Sequence, residues 1–356
     1  MPRFSPLALS ALVGFACSCS SKSDPATPAP TSAHTAHPQH PQPTAQADAA
    51  SDAGGRQRDS GVVTDGGPTR PIAVSDDRPT PTVAFYPQDA DPNAVTWYPT
   101  QQVARFERSV AGQLLPVRAK LVVLLNGVGN AAGPTDVGQW LSNRGFHTFA
   151  VDYDNLNSVR LLADSVPGDG LPGAVEAYSE IIDGVDTSPN VTVPRADSVL
   201  GRLDSALPYL DSVDPGADWG YYLNPDGSAR LTDVIFYGYS FGAATATVLG
   251  KRYRVARVVA TAGPRYNPAV SVEWEASPSV TPLDRFYGIV GALDPDVAEM
   301  RTTIAGLGWP GDFVDVTSAA PPYGGSHRLQ DNEGHSAMCT GSALDPVCEY
   351  AFGISP

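Results

Sequence analysis

Positive charge is in short supply in this chain. Its 356 residues hold 23 Lys and Arg against 38 Asp and Glu, a formal net charge of -15. A surface this acidic argues against binding nucleic acid or an anionic membrane through a basic patch. Cysteine is also scarce, with four in the chain: Cys17, Cys19, Cys339 and Cys348. There is no HExxH and no paired CxxC, so neither common metal constellation is present, and the two late cysteines offer too few ligands for zinc. The glycine-rich stretch GVGNAAG at 127–133 is followed by no Walker lysine and lacks the dinucleotide spacing, so no cofactor is implied. The apolar run from Leu7 to Cys17 is too short to span a bilayer.

That short run has another reading. Arg3 precedes it, and small residues with Cys17 and Cys19 follow where cleavage would fall. This is the pattern of a secretory signal over residues 1–19, and of a bacterial lipoprotein signal if either cysteine takes the lipid. Export to the cell envelope or beyond is therefore expected, with membrane contact only through a lipid at Cys17 or Cys19. Residues 20–79 are rich in Pro, Ala, Thr, Ser, Asp and Gln, and no aromatic residue occurs between Phe15 and Phe85. Such a composition cannot bury enough apolar surface to offset its ordering entropy, so a disordered tether is expected. His34, His37 and His40 within it read as part of a solvated linker rather than as a metal site. In an exported protein, Cys339 and Cys348 are expected to close a short disulfide loop.

From residue 80 to 356 the pattern changes. Continuous apolar runs of strand length at 120–126, 147–153, 233–239, 254–262, 285–291 and 312–317 alternate with helix-like stretches at 133–144, 196–212, 241–252 and 296–307. This rhythm predicts a mostly parallel central sheet with helices on both faces, in one domain. Residues 81–118 are expected to add antiparallel edge strands. The irregular, Gly/Pro-rich residues 155–195 read either as a cap over a site or as a decorated surface loop. On such sheets ligands bind beyond the carboxyl ends of the strands, so chemistry is sought in the loops that follow them.

One loop stands out, in VIFYGYSFGAATA at 234–246. An apolar run stops at Gly238, and small helix-tolerant residues follow Gly242. A serine between two such glycines, at a sharp strand-to-helix turn, is held up for attack at a helix N-terminus. A serine hydroxyl needs a base, and the base needs an orienting carboxylate. Outside the linker only His147, His327 and His335 are available. His147 opens a strand at the wrong sheet edge and is expected to be structural. His327 and His335 both follow the last expected strand; His335 is favoured for its acidic, glycine-rich approach DNEG, with His327 the alternate. The carboxylate is sought in GIVGALDPDV, where Asp294 is favoured and Asp296, a first-turn helix acid, is the alternate. The turn TAGPRYNPAV carries no acid. The oxyanion of a tetrahedral intermediate needs two donors. The N–H of Phe241 and the N–H of Val128, in the loop LNGVGNAAGP, are the candidates.

The segments LVVLLNGVGN, GYSFGA and GALDP, with the terminal histidine, resemble an α/β-hydrolase over residues 80–356. DPGADWGYYLNPDG at 214–227 is similar to a branch of secreted, poorly characterised bacterial members. The resemblance implies a serine hydrolase that cleaves a small or polymeric carboxylic ester through an acyl-enzyme. Ser240, Asp294 and His335 would be its triad, and Val128 and Phe241 its oxyanion hole. Asn126 stands where many relatives have histidine, and Tyr239 where histidine is frequent. The other readings are a binding protein that kept the fold without the chemistry, and a peptidase or amidase. Turnover separates the first from an enzyme; p-nitrophenyl esters against aminoacyl anilides separate the second.

Overall fold

The computed structural model describes residues 70–78, 81–130, 135–156, 171–265, 276–335, 339 and 344–354. The expected signal peptide with Cys17 and Cys19, the histidine run, the tether as far as residue 69, and residues 157–170 of the possible cap lie outside the described residues.

The sheet is built around β5 (Leu121–Leu125), whose five residues are all buried. A run of Leu and Val with no polar interruption suits a strand covered on both faces. Before it come β1 (Thr82–Phe85), the short helix α1 (Pro87–Ala90), β2 (Gln102–Arg105) and a separate two-stranded ladder of β3 (Ser109–Val110) and β4 (Gln113–Leu114). After it come α2 (Thr135–Ser142), β6 (His147–Ala150), α3 (Leu171–Asp183), α4 (Val199–Val213), β7 (Val234–Tyr239), α5 (Phe241–Arg252), β8 (Arg257–Thr261), β9 (Phe286–Gly291), α6 (Val297–Gly306), β10 (Val314–Asp315), β11 (Arg328–Asp331) and α7 (Asp345–Phe352). Among the described residues the main sheet runs β1-β2-β6-β5-β7-β8-β9-β11-β10. β2 is antiparallel to both neighbours, and every other pairing is parallel. This is the α/β-hydrolase fold: a mostly parallel sheet, reversed once near one edge.

Alternate residues of the strands feed two cores. Leu121, Val123 and Leu125 join Phe236, Val258 and Phe286 beneath α3, α4, α5 and α6. Val122 and Leu124 join Ile235, Tyr237, Val259 and Leu329 beneath α2 and α7. Helices thus cover both faces. The chain leaves β5 to one side for β6, then crosses back to the other side for β7. The loops after β5 and β7 diverge there, which is where such sheets open a crevice.

Two expectations are corrected. The strand expected at 312–317 is only the two-residue edge β10, and β11, at Arg328–Asp331, lies between it and β9. β11 escapes sequence reading because RLQD carries one apolar residue; its place comes from the parallel ladder with β9. The chain ahead of residue 80 also packs on the domain. Arg78 pairs with Asp214, Arg70 with Asp218, and the Ser75 N–H donates to Gly216 O at 2.8 Å. Of the possible cap, residues 171–183 form α3, which sends Ala177, Ile181 and Ile182 into the core.

Candidate active site

The turn from β7 to α5 explains its own glycines. Ser240 stands at the helix N-cap with φ 56° and ψ -114°, a conformation rare for a residue with a Cβ. Its N–H is tied back to Thr261 O at 2.9 Å. A Cβ on Gly238 would lie 2.1 Å from Gly242 O, so the turn closes only if position 238 is bare. A Cβ on Gly242 would lie 2.1 Å from Leu125 O. The second glycine is thus required by β5, against whose carboxyl end α5 starts, rather than by the first glycine.

Asp294 follows β9 and is buried, while His335 follows β11 with 37% of its side chain exposed. His335 Nδ1 lies 2.6 Å from Asp294 Oδ2, and its Nε2 lies 2.9 Å from Ser240 Oγ. An ionised carboxylate only accepts, so Nδ1 carries the proton and Nε2 is left to accept from the serine hydroxyl. Asp294 is itself held: its Oδ1 accepts from the Asp296 N–H at 2.9 Å. The loop bearing His335 is held by Tyr239, whose hydroxyl donates to His335 O at 2.6 Å. Against β9, the chain at Glu333 and Gly334 passes so close that a Cβ on Gly291 would sit 2.3 Å from Glu333 O.

The alternates lie elsewhere. His327 precedes β11 instead of following it, at the opposite end of the strand from His335. Its ring stacks on Tyr287 at 3.9 Å, its Nδ1 meets Phe286 O at 3.0 Å, and burial lowers its pKa below the usual imidazole range. Asp296 pairs with Arg265. His147, the first residue of β6, is buried with both ring nitrogens bonded, as expected of a structural histidine. Cys339 and Cys348 are joined by a disulfide that ties Cys339 to α7.

The loop after β5 closes over the serine, with a Cβ on Gly127 only 3.2 Å from Ser240 Cβ. The Gly127 N–H is taken by Asn126 Oδ1 at 2.9 Å, and the Gly129 N–H by Asn155 O at 2.8 Å. Among the described residues the N–H groups of Val128 and Phe241 have no acceptor, which leaves both open to a ligand oxygen. Asn126 O in turn accepts from the buried Tyr153 hydroxyl at 2.6 Å. Tyr153 and Tyr178 flank the Phe241 ring, at centroid distances of 6.3 and 5.5 Å. Tyr153 and Asn155 went unnoticed in the sequence. Their only signal is position, at the carboxyl end of β6.

No protein-family model matches the chain, and no curated protein does. Among solved structures, esterase PE8 is 19% identical, over 67% of this chain and 94% of its own, with a TM-score of 0.35. An alpha-beta serine hydrolase homologue from Coxiella burnetii is 10% identical, over 72% of this chain and 92% of its own, with a TM-score of 0.37. XC6422 from Xanthomonas campestris, an a/b serine hydrolase without lid, is 12% identical, over 80% and 96%, at 0.37. Likenesses this weak add nothing to the strand order and the geometry above.

Proposed function

We propose that the chain is an exported serine hydrolase that cleaves a carboxylic ester through an acyl-enzyme. The observation that carries this reading is the unbroken relay from Ser240 Oγ to His335 at 2.9 Å and on to buried Asp294 at 2.6 Å. Ser240 Oγ attacks the ester carbonyl as His335 Nε2 takes its proton. Asp294 keeps the imidazole in the tautomer that can do so and stabilises the imidazolium. The carbonyl oxygen becomes an oxyanion, to which the Val128 and Phe241 N–H groups donate at the N-terminal end of α5. The imidazolium returns its proton to the departing alcohol, and the acyl group stays on Ser240. Water, deprotonated by His335, then attacks the acyl-enzyme and releases the acid. Export rests on the N-terminal apolar run, with Cys17 or Cys19 as the residue for a lipid anchor.

A binding protein without chemistry has no need of a strained serine within hydrogen-bond distance of an oriented imidazole. A fluorophosphonate probe is expected to label the wild type at Ser240 and to leave Ser240→Ala unlabelled. Turnover of p-nitrophenyl esters by Ser240→Ala should fall by a factor on the order of a thousand or more. Well-folded wild type that neither takes the probe nor turns over any ester would overturn the reading.

A further inference from the structure

We propose that Asn155 is a positioning residue that aims the Val128 N–H at the reacting carbonyl oxygen. The inference rests on the hydrolase reading and extends it to a residue outside the relay and outside the donor pair.

Asn155 follows β6 and is 1% exposed. Its Nδ2 donates to Gly127 O at 2.9 Å and to Asn130 O at 3.1 Å, and its own carbonyl accepts from the Gly129 N–H at 2.8 Å. One side chain and its backbone therefore grip the loop at Gly127, Gly129 and Asn130. The two carbonyl acceptors also settle which way round the amide sits, since the flipped form would set Oδ1 against both. A further bond, Asn130 N–H to Gly127 O at 3.3 Å, closes the turn.

The consequence follows from peptide geometry. Gly127 O and the Val128 N–H belong to the same peptide unit, which is trans, so the two groups point in opposite directions. Holding Gly127 O on Asn155, in the interior, turns the Val128 N–H the other way. The neighbouring peptide is fixed likewise: Tyr153 holds Asn126 O, and the Gly127 N–H is spent on the Asn126 side chain. Gly127 rotates easily, and without Asn155 the peptide between Gly127 and Val128 is held only by the longer Asn130 N–H bond to Gly127 O, too little to keep it from flipping. A flip would present a carbonyl, a repelling acceptor, where the oxyanion forms. Because that charge develops only as the intermediate forms, the loss should appear in kcat and not in KM.

The test is steady-state kinetics on Asn155→Ala and on Asn155→Asp, which keeps the shape but replaces the Nδ2 donor with an oxygen. Both are expected to lose kcat by a factor on the order of a hundred, as for removal of one oxyanion donor. KM for a p-nitrophenyl ester should stay near the wild-type value, and urea midpoints should show the variants folded. Ki for an alkyl boronic acid, whose adduct with Ser240 is tetrahedral and anionic, should rise in step with the loss in kcat. Wild-type kcat in either variant, or a loss in kcat with an unchanged boronate Ki, overturns the proposal. Should both variants fail to fold, the wild type still decides it by amide NMR. Boronate must shift the Val128 and Phe241 amide protons while the Asn155 side-chain amide stays protected from exchange. A Val128 proton that does not respond refutes the aim assigned to it. Wild type inert to ester, fluorophosphonate and boronate alike would instead refute the hydrolase reading, and this proposal with it.

Discussion

The most exacting test of the fold is the response of His147 to acid. Its ring lies flat on Phe106 at 3.9 Å and edge-on to Trp219 at 4.8 Å, with no exposed surface. Nε2 meets Ala217 O at 2.7 Å, and the Tyr222 hydroxyl lies 2.9 Å from Nδ1. A carbonyl only accepts, so Nε2 carries the proton and Nδ1 takes the tyrosine hydrogen. A second proton would displace that hydrogen bond and create a buried cation. Burial, reinforced by nearby Arg78 and only partly offset by the Ala217 carbonyl and Asp218, lowers the pKa from 6.5 to about 3. In the unfolded chain the same ring protonates near 6.5. Between those values the unfolded state binds more protons, so stability is fully present above 6.5 and falls as pH falls. The slope approaches about 1.4 kcal/mol per pH unit below pH 6.5, so about 2.7 kcal/mol in all is lost by pH 4.5. Asp152 acts in the opposite sense. Burial raises its pKa to about 6, so its contribution is present below 3.8 and lost as pH rises through 6. That term is common to wild type and variant and cancels in their difference. Urea midpoints followed by tryptophan fluorescence at several pH values, for wild type and His147→Gln, isolate the histidine. The variant is expected to be the less stable at pH 7, having lost ring packing, and the gap should close by about 2.7 kcal/mol at pH 4.5. Parallel curves would refute the assignment.

Two further outcomes are expected. Ser240→Gly should abolish turnover yet raise the thermal midpoint, because glycine adopts the φ of 56° without the strain a Cβ imposes, worth about 1 kcal/mol. A lower midpoint would mean that the turn is unstrained. Tyr239→Phe should keep its ring packing but free the His335 loop, lowering kcat several-fold while fluorophosphonate still labels Ser240; unchanged kcat would deny the tyrosine hydroxyl a role.

The sheet and the elbow were legible for a local reason. A strand covered on both faces must be apolar throughout, as Leu121–Leu125 and Val234–Tyr239 are, and a turn that excludes a Cβ must be glycine, as Gly238 is. What escaped was made by partners far apart in the chain. β11 is a strand because β9 offers it a ladder, not because RLQD is apolar, and until that strand is placed His327 stays an alternate to the favoured His335. The packing of residues 70–78 hangs on pairs such as Arg78 with Asp214, which leave no periodicity to read. The grip of Asn155 on the loop after β5 depends on β5 and β6 being parallel neighbours.

Taken alone, the order of residues determined the class of fold, the site of the sharp turn and the serine on it, since burial and backbone sterics act within a few residues. Which histidine meets that serine, which carboxylate meets the histidine, and which residue takes the Gly129 amide of the glycine loop were decided by tertiary structure. Each of those depends on a distance of about 3 Å between residues tens of positions apart, and only the finished sheet, by setting its strands side by side, brings them that close.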